Sequence, residues 1–385
     1  MRETFHKLRH FPLILLFFGL VALYSFIDTL SPDRELSQME NRTLTQRPAF
    51  DAAAFFNNQW TREYGEYTKD QFLFRDGWIT LQSFMETVQG KLENGGVWFA
   101  RDDYLIAKNT LFTEVQQRTL EMNTEAVCGL AQRHEGQVRV MVVPSAANIL
   151  SDELRWNPPQ MDENALLDST FEALMEAGAE VVDLRQPFAS AHGQGEQIYY
   201  RTDHHWTTTG GALLAYEAFC GARGMEPILP EESLLREVPD FYGTNYARSK
   251  KFGTVPDSLF YYDFPYPLTV YRYEQDDTLT AETGPIMEAE TLDTYDRYGA
   301  FLRGNNGYSV IEGTGEGSIL VVKDSYGNSF VPYLAQNYAR VGIIDLRAWF
   351  EVDETFQEEG YDEILVLYSF DNFTTDTNVV RMMVQ

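Results

Sequence analysis

Four short runs in this chain consist almost wholly of branched apolar residues: 138–143 (Val-Arg-Val-Met-Val-Val), 319–322 (Ile-Leu-Val-Val), 341–346 (Val-Gly-Ile-Ile-Asp-Leu) and 364–367 (Ile-Leu-Val-Leu). A strand with one wet face carries a polar residue at every second position. Runs like these therefore predict strands buried on both faces. Helical spacing fills the intervals at 113–133, 166–177, 206–220 and 329–336, with Gly221 as a stop for the third. A further strand falls at 180–184. Strands alternating with helices predict an α/β fold in which a short parallel sheet is covered on both sides.

The N-terminus sets where such a fold would reside. Arg2, Lys7 and Arg9 precede an apolar run over 11–27, broken by Gly19 and Ser25, with Pro12 in the first turn. Seventeen residues is near the lower limit for a spanning helix. The positive flank comes first, which orients the N-terminus to the cytoplasm and exports the rest. The run ends in Ser25-Phe26-Ile27-Asp28, a poor cleavage site, so an uncleaved anchor over 1–27 is expected. Residues 28–54 are polar, contain Gln46-Arg47-Pro48, and read as a stalk. The folded body is then 55–385. Its first part carries an aromatic stripe (Phe55, Phe56, Trp60, Tyr64, Tyr67, Phe72, Phe74, Trp78, Leu81, Phe84) expected to form core. Residues 225–310, rich in Tyr, Asp, Glu and Pro, interrupt the strand–helix rhythm and read as an insertion that contributes to a substrate groove. The formal charge of −28 argues against nucleic acid as a partner. Cys128 and Cys220, the two cysteines, lie in helical segments and fit a disulfide or buried thiols equally well.

Two stretches carry chemistry. The first is Asp203-His204-His205-Trp206, followed by Thr207-Thr208-Thr209-Gly210-Gly211. An Asp two residues before a His hydrogen-bonds that imidazole if the backbone turns sharply, which fixes its tautomer. An N-cap aspartate with histidines packed beside Trp206 is an equal reading of the bare motif. Zinc held by Asp203, His204, His205 and His192 is a third, weakened by the lack of an i,i+4 histidine pair. The second stretch is the strand 319–322 running into Lys323-Asp324-Ser325-Tyr326-Gly327. A serine at the carboxyl end of a buried strand, with a helix N-terminus beyond it, has the layout of a nucleophile elbow. It fits a helix N-cap as well.

Taken together these stretches resemble the bacterial DHHW family, itself similar to the alginate O-acetyltransferases of the SGNH-hydrolase superfamily. The resemblance extends to Glu40-Asn41-Arg42-Thr43-Leu44, Asp70-Gln71-Phe72 with Phe74-Arg75-Asp76, Asp240-Phe241-Tyr242-Gly243-Thr244, Gly304-Asn305-Asn306 and Ile344-Asp345-Leu346-Arg347. It implies an SGNH-like three-layer α/β/α fold behind the membrane helix. Ser325 would be nucleophile, His205 base and Asp203 its orienting acid. SGNH enzymes use a serine N–H, a glycine N–H and an asparagine amide as oxyanion donors, which makes Ser325, Gly304, Asn305, Asn306 and Asn372 candidates here. His204, Trp206, Tyr326 and Arg347 are candidates for substrate contact. Neither metal nor cofactor is implied. The implied activity is O-acetyl transfer to, or acetyl removal from, an exopolysaccharide or cell-wall glycan, with a multi-spanning membrane acyltransferase as acetyl donor. A non-catalytic glycan-binding scaffold on the same fold is the alternative.

Overall fold

The computed structural model describes residues 11–37, 39–40, 42–274, 278–349 and 351–383. The positive flank expected to orient the anchor, and Asn41, lie outside these. The chain divides into two compact units, Met1–Lys91 with Lys250–Phe252, and Leu92–Ser249 with Gly253–Gln385.

The first unit begins with helix α1 (Pro12–Leu30), whose apolar side chains are exposed along its length. It is long and apolar enough to cross a bilayer, a property shared by anchors and signal sequences. In the segment 28–54, expected as a stalk, Asp33, Arg34, Arg42 and Thr45 are instead hydrogen-bonded to helices α2 (Gln59–Asp70) and α3 (Arg75–Val88) or to Gln71 between them. The physical reason is one buried carboxylate. Asp70 takes both prongs of the Arg42 guanidinium, at 2.9 and 2.6 Å, and the Thr45 N–H at 2.8 Å. The Arg42 hydrogen bonds hold its carboxyl well below the usual range. The aromatic stripe departs from expectation too. Phe72, Phe74, Trp78, Leu81 and Phe84 are all more than 40% exposed. The helices and the pair of two-residue strands of this unit leave these side chains largely uncovered, although Phe72 packs on Tyr24 of α1 with centroids 5.1 Å apart.

The second unit is built on an eight-stranded sheet of β1 (Val138–Val143), β2 (Glu180–Val181), β3 (Leu268–Tyr273), β4 (Leu279–Gly284), β5 (Tyr308–Glu312), β6 (Ser318–Lys323), β7 (Arg340–Ile344) and β8 (Glu363–Ser369), in the order β4-β3-β5-β7-β6-β8-β1-β2. Five strands, β7-β6-β8-β1-β2, run parallel. The other three are antiparallel. Two of those come from the stretch expected as an insertion. They escaped the sequence reading because β4 lies exposed at the sheet edge and lacks an apolar run.

Side-chain alternation sorts the parallel strands into two cores. Met141, Val143, Ile319, Val321, Leu365 and Leu367 face helices α6 (Arg185–Gly193), α7 (Leu213–Arg223) and α8 (Gly327–Leu334). Val140, Val142, Leu320, Val322, Ile364 and Val366 face α4 (Glu114–Arg133), α5 (Glu163–Glu176) and α9 (Val352–Glu359). Each such side chain contributes roughly 1.5–3 kcal/mol by leaving water. Two smaller expectations are settled. The third helix ends at Gly224, in the left-handed region at φ 64°, rather than at Gly221. Cys128 and Cys220 are free thiols packed in cores on opposite faces of the sheet.

The topology leaves one opening. The helix after β6 packs on one face and the helix after β7 on the other. The carboxyl end of β6 therefore looks out between them, where open α/β sheets place their sites.

Candidate active site

The motif at 203–206 forms the tip of a tight loop. Tyr199 and Trp206 form an isolated antiparallel bridge, and Tyr200 N–H donates to the His205 carbonyl at 3.1 Å. The Asp257 carboxylate, from the tyrosine-rich stretch, receives the N–H groups of Arg201 and Thr202 at 3.0 and 2.8 Å and the Thr202 hydroxyl at 2.7 Å. Trp206 is fully buried, and its indole N–H reaches the Tyr326 carbonyl and Ser329 Oγ.

That fold of the backbone makes the short Asp-x-His spacing work. Asp203 Oδ1 accepts the His205 N–H at 2.9 Å, an Asx turn, and meets His205 Nδ1 at 2.6 Å. Asp203 Oδ2 accepts from the Thr244 N–H at 2.7 Å and its hydroxyl at 3.0 Å. Gly243 permits this approach, since a Cβ there would stand 2.2 Å from the Asp203 Cβ. Burial alone would raise the Asp203 pKa. The two histidines and the hydrogen bonds outweigh it and hold the carboxyl far below its usual range.

Ser325 lies just past β6, with its neighbours Asp324 and Tyr326 buried. Asp324 staples this turn to the end of β8, accepting the Tyr326 N–H at 2.9 Å and, on its other oxygen, the N–H and hydroxyl of Ser369 at 2.8 and 2.7 Å. The Ser325 Oγ stands 2.8 Å from His205 Nε2. A continuous chain of hydrogen bonds thus runs from Asp203 through His205 to Ser325. Tyr298 lies flat on the His205 imidazole, centroids 3.7 Å apart and planes 9° apart.

The remaining candidates separate by what already occupies them. The Gly304 N–H donates to the Phe301 carbonyl, the Asn306 amide to the carbonyls of Leu302 and Arg303, and the Asn372 amide to Asp324 at 2.8 Å. Asn305 differs. Its oxygen accepts from Asn328 Nδ2 at 3.0 Å and from the buried Lys323 Nζ at 3.4 Å, which turns its NH₂ group the other way. Among the described residues neither that group nor the Ser325 N–H has a hydrogen-bond partner. Leu302, Arg303 and Gly304, just before it, all have positive φ, at 54°, 56° and 92°. For two side-chain-bearing residues this is strain, which local packing must hold in place. Of the expected substrate contacts, His204 and Arg347 present side chains 37% and 47% exposed. Trp206 and Tyr326 are enclosed in the core instead, where the Tyr326 hydroxyl holds the His204 carbonyl.

Asp203, His204 and His205 have ligand atoms within 4.8 Å of one another, a spacing a metal ion would accept. The His205 nitrogens and the Asp203 oxygens are, however, already engaged as described. Sequence reasoning missed Tyr298 and Asp257, and quoted Lys323 within its motif without a role. It singled out Gly243 and Thr244 only as part of a motif, without a role.

The family model for DHHW protein matches residues 124–344. A probable alginate O-acetylase AlgJ from Pseudomonas putida is 24% identical over 153 residues, 39% of this chain and 38% of that protein. The AlgJ of Pseudomonas fluorescens is 25% identical over 42% of each chain. The chain thus spans about two fifths of the length of these curated relatives. Among solved structures, a DHHW family protein from Eubacterium siraeum superposes with a TM-score of 0.59 at 20% identity, covering 76% of this chain and 96% of the other. Bacillus cereus PatB1, solved with a sulfonyl adduct, gives 0.55 at 20% identity, over 73% and 96%.

Proposed function

The chain belongs to the DHHW family, and on that premise we propose that it is an O-acetyltransferase of SGNH type acting on a glycan outside the cytoplasm, anchored by α1. The observation that carries this reading is the unbroken line Asp203–His205–Ser325, with contacts of 2.6 and 2.8 Å. The names of the curated relatives, alginate O-acetylases, support acetyl transfer to a polysaccharide as the class of reaction.

In this mechanism Ser325 Oγ attacks the carbonyl carbon of an acetyl ester while His205 Nε2 takes its proton. Asp203 keeps the other imidazole nitrogen protonated and stabilises the imidazolium. The carbonyl oxygen becomes an oxyanion, received by the Ser325 N–H and the Asn305 amide. Collapse expels the donor alcohol, which leaves with the proton from His205, and Ser325 is acetylated. A sugar hydroxyl then attacks that ester, His205 takes its proton and returns it to Ser325 Oγ, and the acetylated glycan departs. Water in place of the sugar gives acetylesterase activity with the same residues. The acetyl donor is proposed to be delivered by a multi-spanning membrane acyltransferase.

The test is labelling of the full chain in detergent with phenylmethylsulfonyl fluoride. Mass spectrometry should find one sulfonyl group on Ser325 and none in Ser325→Ala. A wild-type chain that is never labelled and turns over no acetyl ester would leave the non-catalytic glycan-binding scaffold as the better reading. The anchor is tested separately: protease added to intact protoplasts should remove the body of the chain.

A further inference from the structure

A second feature lies at the same edge of the sheet as Ser325. Tyr271, Tyr273, Leu279, Tyr308 and Trp349 line a cleft of about 190 Å³ whose other wall is the α9 segment with Glu351, Glu354 and Glu358. The rings form a continuous wall. Tyr273 stacks on Trp349 at 5.3 Å and 14°, Trp349 contacts Tyr308 at 5.3 Å, and Tyr308 stacks on Tyr271 at 5.1 Å. Tyr273 remains 57% exposed. Among the described residues no cation pairs Glu351, Glu354 or Glu358. The inner rings also serve the core, since Tyr308 is buried in it and Tyr271 and Trp349 pack against it. Core packing and ion pairing do not account for the exposed Tyr273 and Leu279 or for the three carboxylates that face them.

Its position follows from strand register. Tyr308 opposes Ile344, which opposes Val322, three residues before Ser325. Tyr271 opposes Tyr308 in turn. The start of β5 and the end of β3 therefore lie at the edge where β6 delivers Ser325. At a strand spacing of about 4.8 Å, β5 is about 10 Å and β3 about 14 Å from β6. The interval is polar. Asn305 is exposed, Arg272 Nη2 donates to Asn306 at 3.0 Å, and Arg347 is half-exposed on Asp345.

We propose that this cleft is a distal subsite for the glycan acceptor, and that it takes sugar units free of carboxylates, neutral or N-acetylated. Aromatic faces pack on the C–H faces of pyranose rings, and carboxylates accept hydrogen bonds from sugar hydroxyls. The same three carboxylates, on a chain of charge −28, repel a polyuronate. The polar interval binds the units between cleft and Ser325. A chain of several sugars laid along the edge reaches both places, and a monosaccharide does not. The inference rests on the acyl-transfer reading for its purpose, though binding to the cleft is measurable without it.

The experiment uses the full chain in detergent with chitopentaose and with a mannuronate pentamer as probes. Binding is read from tryptophan fluorescence and calorimetry. Acetyl transfer from p-nitrophenyl acetate is read with chitopentaose or N-acetylglucosamine as acceptor. Chitopentaose should bind and the mannuronate pentamer should not. Tyr273→Ala should weaken chitopentaose binding and raise its half-saturating concentration about tenfold. Hydrolysis of p-nitrophenyl acetate without acceptor, and transfer to N-acetylglucosamine, should be unchanged. Glu354→Lys, an exposed surface change, should weaken chitopentaose binding and admit the mannuronate pentamer. Unchanged chitopentaose binding in both variants overturns the subsite, as does wild-type preference for the uronate. Absence of all ester turnover with chitopentaose still bound at Tyr273 would instead overturn the acyl-transfer reading alone.

Discussion

The phenol ring of Tyr298 covers one whole face of the His205 imidazole, while its hydroxyl bonds Ser329 Oγ at 3.0 Å and the Ser325 carbonyl at 3.3 Å. One side chain thus touches both the proposed base and the backbone of the proposed nucleophile. The ring fixes the imidazole plane, and the hydroxyl ties that plane to the serine turn. Replacing Tyr298 by Leu should lower kcat about tenfold with KM for a small ester nearly unchanged, since orientation rather than binding is lost. Tyr298→Phe keeps the stack and should retain most of the rate. Steady-state kinetics on p-nitrophenyl acetate separates the two. Equal losses in both variants would place the effect in the hydroxyl.

The two adjacent histidines should differ sharply. His205 lies between Asp203 and Ser325, whereas His204 Nδ1 bonds the Thr244 hydroxyl at 2.6 Å and its ring packs on His205. His205→Ala should cost about 10³-fold or more in turnover. His204→Ala should cost about tenfold through positioning. Asp203→Asn should lose turnover on the scale of about 10²–10⁴ through the wrong tautomer, with some loss of stability, because each carboxylate oxygen accepts a backbone N–H and the new NH₂ group must face one of them. Circular dichroism checks each fold. A dead His204→Ala beside an active His205→Ala would reverse the assignment.

Legibility from sequence followed the range of the signal. The parallel strands were readable because burial on both faces leaves an uninterrupted apolar run, as in 319–322. Strand β4 was not, because Leu-Thr-Ala-Glu-Thr-Gly at a sheet edge has no face to hide. Motif and elbow each mark a local backbone shape, which singled out the stretches holding the three residues of the hydrogen-bonded line, but each also fitted a helix N-cap, and the roles came from the family resemblance. Tyr298 and Asp257 were not readable, nor was the role of Lys323. Their places depend on contacts across 93, 55 and 22 positions, as in Tyr298–His205, Asp257–Thr202 and Lys323–Asp345. The aromatic stripe of α2 and α3 misled for the complementary reason. Spacing reports which side chains share a face, while burial depends on whether another layer covers it.

Glu163 gives a prediction about stability. It is 2% exposed, accepts the Ser145 N–H at 2.8 Å and pairs with the Ser145 hydroxyl at 2.5 Å, and burial pushes its pKa up to about 7. The unfolded chain releases this proton near pH 4.3. A carboxyl with a raised native pKa supports the fold fully below the unfolded value. That support is lost as pH rises toward about 7 and stays lost above it. Glu163→Gln keeps the shape and removes the titration. Thermal melts should show the variant near wild type at pH 4 and more stable at pH 8, by on the order of 2 kcal/mol. A variant less stable than wild type at both pH values would show that the ionised carboxylate is tolerated.

A metal ion at Asp203, His204 and His205 would have to take a His205 nitrogen that is already bonded to Asp203 or to Ser325. Treatment with EDTA followed by desalting is therefore expected to leave ester turnover largely intact. Stoichiometric zinc whose removal abolishes turnover, and whose return restores it, would replace the serine mechanism with a metal-bound water.

The oxyanion donors give the sharpest separation between two candidate asparagines, Asn305 and Asn372. Lys323 is fully buried, and burial lowers its pKa against the opposing pull of Asp345. With Asn328 it claims the Asn305 oxygen, so the Asn305 amide group is the one left free. The strained turn at Leu302, Arg303 and Gly304 fixes where that group stands. Asn372 is chemically identical, but its amide is committed to Asp324. Removing an oxyanion donor typically costs 10²–10³-fold in kcat. Asn305→Ala should therefore lower kcat by about 10²-fold with little change in KM or melting temperature. Asn372→Ala should act in the opposite way, through the fold. It strips one hydrogen bond from a buried carboxylate that keeps two others from Ser369, and should lower stability by roughly 1–2 kcal/mol, with a smaller loss of rate. Kinetics and thermal melts on the two variants decide it. A large kcat loss in Asn372→Ala without loss of stability, beside a normal Asn305→Ala, would move the oxyanion hole to the end of β8.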